Sequence, residues 1–123
     1  MKKILVIDDE KDVRDLIRDL LEQEKFKVFT AEPQDALTAA KVEGPDLILL
    51  DIAMPQFDGY TICEKIKSEE VIQDIPVVFL TGKELSPEGI AEHCRKLKAV
   101  GYISKLSSPE DFLSKVRSAL YQL

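Results

Sequence analysis

The amino-acid sequence predicts an α/β fold: one domain built on a doubly wound, five-stranded parallel sheet with helices on both faces. Three observations lead there. Short apolar runs alternate with segments of helical period from one end of the chain to the other. Each run is continuously apolar rather than alternating, as a strand covered on both faces should be. The links are short, so successive parallel strands must be joined by right-handed helical crossovers. A chain of 123 residues can bury one such core but not two.

The first run is Ile4–Ile7. It precedes an apolar helical stripe of Val13, Leu16, Ile17, Leu20 and Leu21, with Arg14, Asp15, Arg18, Asp19 and Glu22 placed outside it. The second run is Phe26–Thr30, followed by an alanine-rich segment from about Asp35 to Val42 with the weakest helical signature of the five. Leu47–Leu50 is the third run. After it, Asp58-Gly59 opens a helix expected to bury Ile62, Cys63 and Ile66. The fourth run is Val77–Leu80, and the fifth and weakest is Tyr102–Ile103. The helices after them are announced by Ser86-Pro87 and Ser108-Pro109. In both, a hydroxyl caps the first turn and a proline fills the first helical position, where its missing N–H costs nothing.

Composition narrows the function. The net charge of −6 argues against a basic surface for nucleic acid. Cys63 and Cys94 lack metal-ligand spacing and fall on apolar helix positions, as buried free thiols in a reducing compartment would. The apolar run after Met1-Lys2-Lys3 is only four residues before two aspartates, too short for a secretion signal or a membrane span. A cytoplasmic location without membrane insertion is expected.

In doubly wound sheets, ligands bind beyond the carboxyl ends of the strands. The residues delivered to that rim are Asp8, Asp9 and Glu10 after the first run and Asp51 after the third. Thr81-Gly82 follow the fourth, and Ser104-Lys105 the fifth. Two carboxylates about 4 Å apart repel by roughly 4 kcal/mol at an effective dielectric near 20. Several together need cations, and Lys105 alone is not enough. Carboxylates without histidine or thiolate select a hard divalent ion such as Mg²⁺, which keeps coordination positions open for phosphate oxygens. A carboxylate can also act as a nucleophile and form an aspartyl phosphate. Asp51 holds the central strand position for that role. Thr81 and Lys105 can meet the phosphoryl oxygens.

Four motifs, each ending a predicted strand, carry a resemblance: Ile7-Asp8-Asp9-Glu10, the run from Leu50-Asp51 through Ala53-Met54-Pro55 to Asp58-Gly59, Leu80-Thr81-Gly82, and Gly101-Tyr102-Ile103-Ser104-Lys105. In this order they resemble the response-regulator receiver family of two-component signalling over nearly the whole chain. The resemblance implies a flavodoxin-like, CheY-like three-layer sandwich with strand order 2-1-3-4-5. It implies Asp51 as phosphoacceptor, with Mg²⁺ bound directly by Asp9, Asp51 and the Ala53 carbonyl and through water by Asp8. Thr81 and Lys105 would hold the phosphoryl group, Tyr102 would be the switch aromatic, and positions 53 and 83 (Ala53, Lys83) would tune the lifetime of the phosphoryl group.

The partners implied are a histidine kinase or histidine phosphotransfer protein, docking near the first helix and the loop after Lys105, and a downstream effector protein. A phosphorylation-dependent homodimer is among the assemblies the family allows, and no direct nucleic-acid contact is expected. The domain would catalyse only its own phosphorylation and slow dephosphorylation. With only Gln122 and Leu123 after the last helix, residues 1–123 read as a receiver without an output domain.

Three departures stand out. Leu106 follows Lys105 where the family usually has proline after a cis peptide. A cis bond before a non-proline residue costs about 3–4 kcal/mol, so a trans peptide and a reshaped loop are expected. Lys98-Ala99 replaces the common Gly-Ala. The segment from Thr81 to Lys105 is longer than usual, with the extra length placed in the loop 82–86.

Other readings compete. Asp58 is better explained as a helix cap and Glu10 as a first-turn helix charge than as ligands. Tyr102 can also be half-buried packing. His93 has no evident partner and reads as solvated, and Arg95, Lys96 and Lys98 read as an exposed face. An Mg²⁺-dependent aspartate-nucleophile phosphohydrolase would share the chemistry, but its second carboxylate would fall at Ala53. A phosphate-independent docking module would be signalled by loss of the lysine or of an acidic-pair member, and both are kept.

Overall fold

The computed structural model describes residues 1–82 and 86–121. Strands β1 (Lys3–Ile7), β2 (Lys27–Ala31), β3 (Leu47–Asp51), β4 (Val77–Thr81) and β5 (Gly101–Ser104) form one parallel sheet in the order β2-β1-β3-β4-β5. Helices α1 (Lys11–Gln23), α2 (Ala36–Glu43), α3 (Gly59–Lys67), α4 (Pro87–Leu97) and α5 (Pro109–Tyr121) alternate with them. The fold is the three-layer sandwich expected. No helix among the described residues is long and apolar enough to cross a membrane.

Continuous apolar strands feed two cores. On one face Leu5, Ile7, Ile48, Leu50, Val77 and Phe79 pack with Ile62, Cys63 and Ile66 of α3 and with Ile90 and Cys94 of α4. On the other, Ile4, Val6, Leu47, Leu49, Val78 and Leu80 pack with Ile17 and Leu21 of α1 and with Phe112 and Val116 of α5. Alternate residues of each central strand serve opposite cores, so the runs Ile4–Ile7, Leu47–Leu50 and Val77–Leu80 are apolar throughout. Both cysteines are free and buried, as expected.

The helix starts are those the sequence announces. Asp58 Oδ1 accepts from Tyr60 N at 2.9 Å, Ser86 Oγ from Gly89 N at 3.2 Å and Ser108 Oγ from Asp111 N at 3.2 Å. The alanine-rich helix begins one residue later than expected, after a 3-10 turn over Pro33–Asp35, and closes on Gly44.

The α1 stripe needs correction. Ile17 and Leu21 are buried, but Leu16 is 70% exposed, while Arg14, assigned to the outside, is tucked in with its side chain only 12% exposed. The guanidinium turns inward because Nη1 donates to the Asp8 carbonyl at 2.8 Å. Phe26 is the residue before β2 rather than its first. Lys98, at the Gly position of the usual Gly-Ala pair, ends α4 in the left-handed conformation at φ 59°. The readings of position 83, of the extra length in the loop 82–86 and of the last two residues fall outside the described residues.

Candidate functional site

The carboxyl rim assembles from main-chain constraints first. Asp8 leaves the end of β1 with its N–H on the Ala31 carbonyl at 3.4 Å, its carbonyl on Arg14 and its Oδ1 accepting from Glu10 N at 2.9 Å. Asp51 is the last residue of β3, and its Oδ1 accepts from Ala53 N at 3.1 Å. An antiparallel bridge between Ala53 and Asp58 folds the loop back to start α3. There Gly59 abuts the Asp51 backbone: a Cβ at position 59 would stand 2.3 Å from the Asp51 carbonyl oxygen. The sequence offered Gly59 only as part of a helix cap. Nothing in the pattern announced that it sets the distance between α3 and Asp51.

Lys105 joins the two strand ends. Its Nζ lies 2.8 Å from Asp8 Oδ2 and 3.0 Å from Asp51 Oδ2. Its own N–H donates to the Thr81 carbonyl at 2.9 Å, which ties the end of β5 to β4. The Lys105–Leu106 peptide is trans, as expected, since the described residues contain no cis bond. The loop turns instead on Ser104, whose Oγ accepts from Leu106 N at 3.1 Å and whose carbonyl accepts from Ser107 N at 3.1 Å. Thr81 is buried at the end of β4.

Asp8 and Asp51 are both essentially fully buried. Burial raises the Asp51 carboxyl above its ordinary range, and the Asp8 charge adds to the rise, while Lys105 and the Ala53 amide act against it. Burial of the Lys105 ammonium would depress it, but the two carboxylates outweigh that and raise it. One cation between two buried anions leaves a net negative charge.

The fit of the residues to a metal rests on two observations. Asp8 Oδ2 and Asp51 Oδ2 receive no hydrogen bond of acceptable geometry, although the ammonium lies at ion-pair distance from each. Lys105 neutralises only one of these two buried charges, and the other stays costly unless a further cation offsets it. In addition, one carboxylate oxygen from each of Asp8, Asp9 and Glu10 falls within 4.8 Å of the others. All are hard oxygen donors, the set suited to Mg²⁺. Glu10, read from sequence as a helix charge, therefore stands among the acidic group. Asp51 joins it through Lys105 rather than directly. Asp9 is exposed and lines a cleft of about 350 Å³ with Pro55 and Phe57. A larger cleft, about 720 Å³, lies by Pro76 and Lys98, before the starts of β4 and β5 and away from these carboxylates.

Tyr102 is half-buried against the α3–α4 core, in register with Phe79. His93 is exposed, as expected, but it does have a partner. Its imidazole stacks on Tyr60, with ring centroids 3.8 Å apart and planes at 13°. Arg95, Lys96 and Lys98 are exposed as expected, with Arg95 and Lys96 paired to Glu92.

The family model described as the response regulator receiver domain matches residues 4–117. The chain belongs to that family. Among curated relatives, this receiver is 36% identical over 120 residues to the probable transcriptional regulator ycf27 of Cyanophora paradoxa. It is 33% identical to the alkaline phosphatase synthesis transcriptional regulatory protein PhoP of Bacillus subtilis. In each case 97% of the chain is aligned to 48% of the relative, so the receiver spans about half their length. Among solved structures it superposes on Vibrio cholerae chemotaxis protein CheY4 with TM-score 0.88 at 26% identity, covering 98% of this chain and 99% of that one. The beryllofluoride-activated receiver domain of Klebsiella pneumoniae RstA matches at TM-score 0.84 and 29% identity, covering 96% and 97%. A receiver is a signalling domain, and receiver domains generally use Mg²⁺ at an acidic site.

Proposed function

We propose that the chain accepts a phosphoryl group on Asp51 and that the charge gained there shifts its conformation. The observation that carries this reading is the single Lys105 ammonium shared by the buried Asp8 and Asp51 carboxylates, which leaves one buried negative charge without a counter-ion. Mg²⁺ would be held by Asp9, Asp51 and the Ala53 carbonyl, with Asp8 behind a water, and would neutralise carboxylate and phosphoryl charge. Glu10 is close enough to contribute to the same field.

The residues themselves supply positioning. Asp51 attacks the phosphorus of a phosphohistidine through a carboxylate oxygen. The O–P bond forms as the N–P bond breaks, and the imidazole leaves with the electron pair and takes a proton from solvent. Lys105 stays as counter-ion to the phosphoryl oxygens, and the Thr81 hydroxyl is the neutral donor. Contacts made only in the phosphorylated form bias a two-state equilibrium by no more than their own free energy. Tyr102 on β5, in register with Phe79 of β4, is the aromatic that would follow Thr81.

The donor is a histidine kinase or histidine phosphotransfer protein, and the recipient of the signal is an effector protein reached through α4, β5 and α5. The setting is the cytoplasm. Catalysis is limited to self-phosphorylation and slow self-dephosphorylation, since the second carboxylate of a phosphohydrolase is replaced by Ala53.

Acetyl phosphate with Mg²⁺, followed by intact-protein mass spectrometry, tests the reading. Wild type gains one phosphoryl group and Asp51→Asn does not. Failure of the wild type to react with acetyl phosphate, to bind beryllofluoride and to accept from a kinase panel would leave only a docking module.

A further inference from the structure

We propose that Tyr60 and His93 form a stacked joint through which a change at Asp51 reaches α4, in parallel with Tyr102. The inference rests on the phosphoacceptor reading and goes beyond it in assigning two positioning residues. It starts at the beginning of α3. Gly59 touches the Asp51 backbone with no room for a Cβ, and Tyr60 N is held by Asp58 at 2.9 Å. A displacement of the Asp51 backbone is therefore passed to Tyr60 with little slack, because close-packed interiors deform poorly.

Tyr60 then faces two ways. Its ring meets Phe79 edge-on, with centroids 5.1 Å apart and planes at 89°, and Phe79 is the register partner of both Leu50 on β3 and Tyr102 on β5. Its other neighbour is the His93 imidazole on α4, in nearly parallel overlap. The adjacent residue, Cys94, is buried in the same core as Phe79, so the stack lies where α4 docks. His93 itself is exposed, and burial does not hold it in place. What it adds is the specific ring contact, and aromatic pairs of this kind shift a local equilibrium by about 2- to 10-fold. A histidine that only solubilised the α4 surface would have no reason to lie flat on Tyr60.

The test uses the full 123-residue chain as wild type, His93→Ala and His93→Phe. Amide hydrogen exchange is measured in α4 and, as reference, in α1 and α5. Amide NMR shifts are recorded with and without beryllofluoride and Mg²⁺. His93→Ala should speed α4 exchange by about 2- to 10-fold relative to the reference helices. It should also shrink the beryllofluoride-induced shifts in α4 while those at Ala53 and Gly59 keep wild-type size. His93→Phe, which keeps a stackable ring, should restore both. Wild-type values in α4 for His93→Ala overturn the proposal, and so does acceleration spread evenly over all helices. If wild type shows no beryllofluoride response at Ala53 and takes no phosphoryl group from acetyl phosphate or a kinase panel, the phosphoacceptor reading fails instead, and the exchange comparison still decides whether the joint exists.

Discussion

Gly59 stands so close to Asp51 that a Cβ on it would lie 2.3 Å from the Asp51 carbonyl oxygen and 2.6 Å from Ile52 Cα. The obstacle is backbone on both sides, which no rotamer change relieves. Gly59→Ala must therefore push α3 away from β3 or tilt Asp51. Overpacking of this kind costs about 1–3 kcal/mol, and a small misplacement of a reacting group costs rate as well. Urea unfolding of Gly59→Ala should show the stability loss. Phosphorylation by acetyl phosphate should slow more than it does in a surface variant of equal stability. Unchanged stability and rate would show that the contact has more freedom than its distances imply.

The buried Asp51 carboxyl makes a signed prediction about pH. Its native pKa is raised above 3.8, first by burial and then by Asp8, against the opposing pull of Lys105. A group raised in the folded state favours folding at pH values below its unfolded pKa, and that contribution is lost as pH climbs through the native pKa. In metal-free buffer, Asp51→Asn should thus gain stability relative to wild type as pH rises from about 4 toward neutrality. The gain is about 1.4 kcal/mol for each tenfold by which folding weakens the acid. Mg²⁺ should narrow the difference by stabilising wild type alone. Parallel stability–pH curves for the two proteins would contradict this account.

Much of this was legible in the chain because strand ends are. An apolar run that stops at Asp8, Asp51, Thr81 or Ser104-Lys105 marks the carboxyl rim of the sheet, and the rim is where the charge collects. What stayed hidden depends on contacts that helical periodicity and residue type do not encode. Arg14 is polar by type, so periodicity put it outside, yet the Asp8 carbonyl draws it inward and leaves Leu16 in solvent. His93 had no partner within its own helix because its partner is Tyr60, on α3. Glu10 does stand at the N-terminus of α1, as its helix-charge explanation has it, and the turn after β1 also brings its carboxylate near those of Asp8 and Asp9.

The thiols allow a second test of burial. Cys63 is fully buried, and burial pushes its thiol up to about 11 from 9.0. Below pH 9 both states keep the proton. Between pH 9 and about 11 the unfolded chain ionises and the native state does not, so native stability falls as pH rises. The loss is at most about 2.7 kcal/mol, the free energy of a roughly hundredfold weaker acid. Comparing wild type with Cys63→Ala over that window cancels the lysines, which titrate in both. The gap should close steadily from pH 9 upward. A constant gap would mean that the thiol ionises in the native protein as it does in the unfolded chain.

Lys98 gives a prediction about the end of α4. It holds a left-handed conformation, φ 59° and ψ 32°, to let its N–H reach the Cys94 carbonyl, at a position where glycine is the usual solution. A side chain there strains the native backbone, whereas the cost of glycine falls mainly on the unfolded chain. Charge works in the same direction: Lys98 lies near Lys67, whose ammonium is depressed first by its own burial and further by Lys98. Lys98→Gly should raise stability by about 0.5–1 kcal/mol, read as a higher urea midpoint at unchanged slope. Lys98→Ala separates the causes, because it removes the charge and keeps the Cβ. If alanine stabilises as much as glycine, the gain is electrostatic and the backbone account of this helix end is wrong.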